Sequence, residues 1–107
     1  MQETIPALLA ALRDPNPGVR WLAGEALIRI GRASVVPLLG TLVRETPDIW
    51  LIEEAGHILR HLQLPEFHGA LAPVIAACEH STRDVEVPVQ AEVALLAISR
   101  SAESAGA

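Results

Sequence analysis

The sequence predicts an all-α chain, a right-handed α-α superhelix (solenoid) of three helical hairpins and six helices. Three observations carry that expectation. An apolar stripe at helical period occurs three times at intervals of thirty-odd residues. The stripes are bounded by proline and polar cap residues. No segment alternates at period two for long enough to form a strand.

The clearest copy runs from Asp14 to Gly31. Asn16 is a good N-cap, since its side-chain oxygen can accept from an unpaired amide of the first turn. Pro17 follows at the first helical position, where its missing N–H costs nothing. Val19, Leu22, Ala23, Ala26, Leu27 and Ile30 then form one apolar stripe, and Gly31 ends the helix as a C′ glycine. The small residues at 23, 24 and 26 invite close approach by a neighbouring helix.

Moved on by 32 residues, the stripe falls on Leu51, Ala55, Ile58, Leu59 and Leu62, with Ala23-Gly24 matched by Ala55-Gly56. A further 36 brings it to Val87, Ala91, Ala94, Leu95 and Ile98. Asn16-Pro17 is echoed by Thr46-Pro47; the third start, near Val87-Pro88, keeps the proline without an obvious cap. Ahead of each of these helices lies another: Ile5-Pro6-Ala7-Leu8-Leu9, Val36-Pro37-Leu38-Leu39 and Ala72-Pro73-Val74-Ile75. Thr4 and Ser34 stand ahead of the first two as caps. Pro73 kinks its helix if that helix begins near Glu66, and lies in the first turn if it begins near Ala70. The expected helices are 4–13, 17–31, 34–45, 47–63, 66–80 and 86–101. They form one domain over 1–102, with repeats at about 4–31, 34–63 and 66–101 and a frayed tail at 103–107.

The first unit resembles a HEAT repeat, of the HEAT-like type named after the phycobilisome lyases. Asp14 in the turn, Val19-Arg20 opening the second helix, the small residues Ala23 and Ala26, then Leu27, Ile30 and Gly31 stand at that family's motif positions. The resemblance implies that Asp14 and Arg20 tie neighbouring repeats together. Only the first unit has both, since Ile52 and Pro88 take the Arg20 position in the other two. It implies a scaffold more than an activity.

With 107 residues, half of them hydrophobic and 3% aromatic, the core must be Leu, Ile, Val and Ala packed between helices. The net charge is −5, divided as +1 over residues 1–47 and −6 over 48–107, and there is no lysine. A nucleic-acid binder needs a basic stripe to displace counterions, and none is supplied. No signal peptide is apparent at the start and no 18-residue apolar run, which points to the cytoplasm and away from a membrane. The single cysteine, Cys78, reads as a small buried hydrophobe.

Glu53, His57 and His61 recur at i, i+4, i+8 along one side of a helix, a spacing able to bring two imidazoles and a carboxylate to a metal. The plainer reading is a solvated face with a Glu–His pair one turn apart. The resemblance brings two enzyme types to test. Deoxyhypusine hydroxylases hold di-iron with repeated His-Glu pairs, and here His57, His61, His68 and His80 are followed by Ile, Leu, Gly and Ser. The phycobilin lyases share the repeats, yet no residue carries a chromophore-attachment role. No phosphate loop or nucleophile motif is present. We therefore expect no catalytic residue, metal or cofactor.

The function expected is a non-enzymatic protein–protein interaction module offering a concave helical face to a protein or peptide. On the second helix of each hairpin the positions off the stripe include Trp21, Glu25 and Ile28, then Glu53, His57 and Arg60, then Val89 and Val93. Trp and Arg are the residues most enriched at binding hot spots. The apolar end helices leave room for a second copy or a larger array. The alternative is a metal-dependent or chromophore-lyase-like enzyme using the His57/His61 helix face.

Overall fold

The computed structural model describes residues 3–45 and 48–106, with side chains as far as Ser101. Six α-helices follow one another: α1 (Thr4–Ala11), α2 (Pro17–Ile30), α3 (Val35–Arg44), α4 (Ile49–His61), α5 (His68–Cys78) and α6 (Arg83–Gly106). Among the described residues there is no strand. A 3-10 turn, Gly31–Ser34, joins α2 to α3 without a break, and another, Pro65–Phe67, leads into α5. The six expected helices therefore form five uninterrupted helical segments.

The start of α2 is built as its sequence dictates. Asn16 has extended backbone, its side-chain oxygen accepts from Gly18 N at 2.8 Å, and Pro17 opens the helix. Asp14 accepts from Asn16 N at 2.8 Å and holds the turn before it. At the other end Gly31 has φ +80°, the only positive φ among the described residues. Side chains avoid that conformation, so the chain can turn here only because Gly31 has no Cβ. Ser34 does not cap α3. It is fully buried, and its hydroxyl donates to the Leu27 carbonyl at 2.7 Å, satisfying the end of α2 instead. No side chain caps α1, so Thr4 is not a cap either.

The second cap differs from the expected Thr46-Pro47, which lies outside the described residues. Asp48 has the N-cap role, accepting from Leu51 N at 2.8 Å. It stands 32 positions after Asn16, so the cap repeats with the stripe. Pro73 lies inside α5, its sixth residue, and Pro88 lies inside α6, which begins five residues before it rather than near 86. The last helix also runs to Gly106, through residues assigned to a tail.

The helices form two rows. One holds α1, α3 and α6, the other α2, α4 and α5, with α1 against α2 and α5 against α6 across the rows. The smallest dimension, 22 Å, is the thickness of two helices. A regular array would place α5 beside α3 and α6 beside α4. Here the last hairpin exchanges them. The glycines show why α5 can follow α4. A Cβ on Gly24 would lie 3.2 Å from Glu54 of α4, and one on Gly56 would lie 3.3 Å from the Cys78 Cβ of α5. The same small position thus seats the next helix of the row each time. In turn α3, with Val35, Leu38, Leu39, Gly40, Thr41 and Leu42 all buried, needs more cover than the 11-residue α5 gives. The longest helix, α6, supplies it.

Of the expected stripes, those of α4 and α6 are buried as read: Leu51, Ala55, Ile58, Leu59 and Leu62, then Val87, Ala91, Ala94 and Ile98, with Leu95 half-buried. That of α2 is rotated. Ala23, Gly24 and Leu27 are buried, but Leu22 is 62% exposed, and Val19 and Ile30 also face outward. Helix α2 has α1 on one flank and α4 on another, and among the described residues no helix covers the third. The continuous run Pro17–Arg44, whose most apolar 18 residues have a mean hydropathy of 1.5, passes as a membrane span by length and composition. The turn at Gly31 divides it, and 44% of its most apolar window is buried inside the molecule.

Candidate interaction surface

The α2–α4–α5 row presents the surface that the sequence singled out, in altered order. Trp21 is 55% exposed on α2, with Glu25 and Ile28 half-buried beside it. Across the groove, Glu25 Oε2 meets His57 Nε2 of α4 at 3.0 Å. Arg60, one turn on, reaches Glu79 beyond the end of α5 at 3.4 Å. Trp21, Glu25, Ile28, His57 and Arg60 are thereby gathered on one face, with Glu53 exposed along the same side of α4. Val89 and Val93 are exposed too, but on α6, which lies in the other row against α3.

The His57 and His61 rings are in contact, tilted 41° to one another with centroids 4.3 Å apart. One nitrogen of each ring is engaged, His57 Nε2 by Glu25 and His61 Nδ1 by the His57 carbonyl at 2.8 Å. The carboxylate paired with His57 thus comes from the neighbouring helix rather than from Glu53. Among the described residues no three His, Cys, Asp or Glu side chains converge as metal ligands would. Cys78 is half-buried between α5 and α4, and burial pushes its thiol up to about 11, so it is protonated at neutral pH.

The turn motif works through backbone and ring rather than through paired charges. Arg20 donates to the Asp14 and Pro15 carbonyls at 2.7 and 3.2 Å, and its guanidinium lies 4.4 Å from the ring centroid of Trp50 on α4. Arg20 therefore joins the first loop to the second unit by a cation–π contact. Arg13 adds a second tie, to Glu45 at 2.7 Å and Asp48 at 3.1 Å. Trp50, 41% exposed, is in consequence a structural partner of the first loop.

Sequence reasoning missed the groove of about 600 Å³ between the end of α4 and α5, lined by Leu59, Arg60, Leu62, Leu64, His68, Leu71, Ala72 and Ile75. It continues the Trp21–His57 face through Arg60, which borders both. The short link Leu62–Leu64 into Pro65 was its signal, since so few residues bring α5 directly back along α4.

Searches of curated proteins and of solved structures return no significant match. The family model for HEAT repeats matches residues 5–95, from the first turn of α1 to the middle of α6. With the two-row helical stack and the repeated Gly24 and Gly56 seats, that match establishes that the chain belongs to the HEAT-repeat family.

Proposed function

We propose that the chain is a non-enzymatic interaction module that receives a protein or peptide along its α2–α4–α5 face. HEAT repeats commonly serve as protein-interaction scaffolds. The observation that carries the reading here is Trp21. A large aromatic ring stands more than half exposed on a helix anchored by Leu27 and by both neighbours. Such a ring buries a large apolar area on contact and loses little conformational freedom. Glu25, Glu53 and Arg60 supply polar register around it, and the groove between α4 and α5 offers a place for an apolar side chain of the partner.

The test is capture from the source lysate by the parent, by a Trp21→Ala, Ile28→Ala double variant, and by Leu22→Ser as a control with an exposed change off the face. A protein retained by the parent and the control but lost by the double variant supports the reading. Equal capture by all three, with the double variant melting like the parent, overturns it.

A further inference from the structure

We propose that α6 is a self-association surface and that a second copy of this chain covers it, the two helices lying antiparallel. Helix α6 is apolar on two opposite sides. Val87, Ala91, Ala94 and Ile98 are buried against the molecule. Val85, Val89, Val93 and Leu96, at i, i+4, i+8 and i+11, are each more than half exposed and form a second line about 17 Å long. Beside it runs a groove of about 540 Å³ between α3 and α6, lined by Val36, Val43, Leu95, Leu96 and Ile98 together with Glu92 and Ser99. Val36 is itself half exposed, so the apolar surface widens onto α3. An exposed apolar area of this extent, broken only by Glu92 and Ser99, marks an association site.

The charges along α6 select the occupant. Asp84 and Glu86 lie in its first turn and Arg100 beyond the far end of the exposed line. A two-fold axis between residues 92 and 93 sets Val89 of each copy against Leu96 of the other. The same register brings Arg100 of each copy beside Val85 of the other, one residue from Glu86 and on the same flank of the helix. The Glu86 carboxylate accepts from Thr82 and pairs with His80 within its own chain, and stays 36% exposed toward a further partner. Two ion pairs then close the ends of the apolar contact, and the helix dipoles oppose. A parallel pairing sets Arg100 against Arg100 and Glu86 against Glu86. The antiparallel register leaves one repulsion, between the two Glu92 side chains near the axis.

Sedimentation equilibrium from about 1 to 200 µM tests this with the full chain. The parent should be dimeric at the upper end. Val93→Glu, at an exposed position, should be monomeric throughout while keeping the parent's helical content and, at about 1 µM where the parent is also dissociated, its melting temperature. Arg100→Glu should weaken the dimer by about fivefold, the effect of two rim ion pairs, and Glu86→Arg in the same chain should restore it. Glu92→Gln should tighten it. A parent that stays monomeric overturns the proposal, as does a dimer that Val93→Glu leaves intact or that Leu22→Glu alone abolishes.

Discussion

Glu25 Oε2 and His57 Nε2 lie 3.0 Å apart and are separated by 32 positions, the interval that carries the stripe of α2 onto that of α4. Arg13 and Glu45, paired at 2.7 Å, are separated by the same 32. Both pairs therefore join equivalent places in consecutive repeats. Substitution of one member changes a joint between units rather than the interior of either.

Such joints are partly exposed and individually weak. The Glu25 and His57 side chains keep 39% and 34% of their surface. At about pH 5, where an imidazole is ordinarily charged, a double-mutant cycle of Glu25→Gln and His57→Ala should give a coupling of about 0.5 to 1 kcal/mol that shrinks as salt is raised. Urea unfolding of the four proteins measures it, and a coupling above about 2 kcal/mol would contradict a solvent-screened pair.

Leu22 and Leu27 belong to one sequence stripe but have opposite fates. Leu27→Ala should cost about 2–5 kcal/mol, because Leu27 is fully buried at the junction of α2 with its neighbours. Leu22→Ala should change stability by about 0.5 kcal/mol or less. Equal losses in urea melts would mean that the exposed flank of α2 is covered.

Gly31→Ala should destabilise by about 1–3 kcal/mol through backbone strain alone. Nothing lies within 4 Å of where its Cβ would stand, so crowding contributes nothing. Calorimetric melting of Gly31→Ala beside the unstrained Gly69→Ala, which also meets open space, isolates the strain. If the two melt alike, Gly31 does not hold its positive φ.

Glu86 accepts from Thr82 and pairs with His80 at 3.0 Å, and these two contacts, Thr82 first, hold its carboxyl below the ordinary 4.5. A depressed carboxylate contributes stability that is fully present above the ordinary value and is lost as pH falls through the depressed one. Carboxyl NMR titration should therefore find Glu86 below the ordinary value, and Thr82→Val should move it upward. An unmoved midpoint in Thr82→Val would rule out the hydroxyl as the main cause.

How far the fold could be read depended on which contacts are local. The Asn16 cap and Pro17 at N1 are set by neighbours in sequence, and the structure keeps both. Gly31 has the positive φ of a helix-ending glycine but stands one place earlier, as the C-cap, and opens the 3-10 turn. The stripes of α4 and α6 are legible because each of those helices has packed helices around its apolar side. Leu22 was misplaced because periodicity gives an angle around the helix but not which flank has a neighbour. Ser34 has cap-like sequence, yet its nearest unsatisfied group is the Leu27 carbonyl seven residues back. The exchange of α5 and α6 between rows depends on how much cover α3 needs, which no single stripe records. Trp21, Glu25, Ile28, His57 and Arg60 shared a face as their spacing required. Val89 and Val93 parted from them with α6, and the α4–α5 groove went unseen for the same reason.

Gly31 has one more consequence. Straightened, Pro17–Arg44 would be a 28-residue rod about 42 Å long, close to the 44 Å length of the whole molecule. It would carry its apolar residues around its whole circumference. The missing side chain at position 31 is thus what lets one apolar run fold back on itself as two helices, one in each row.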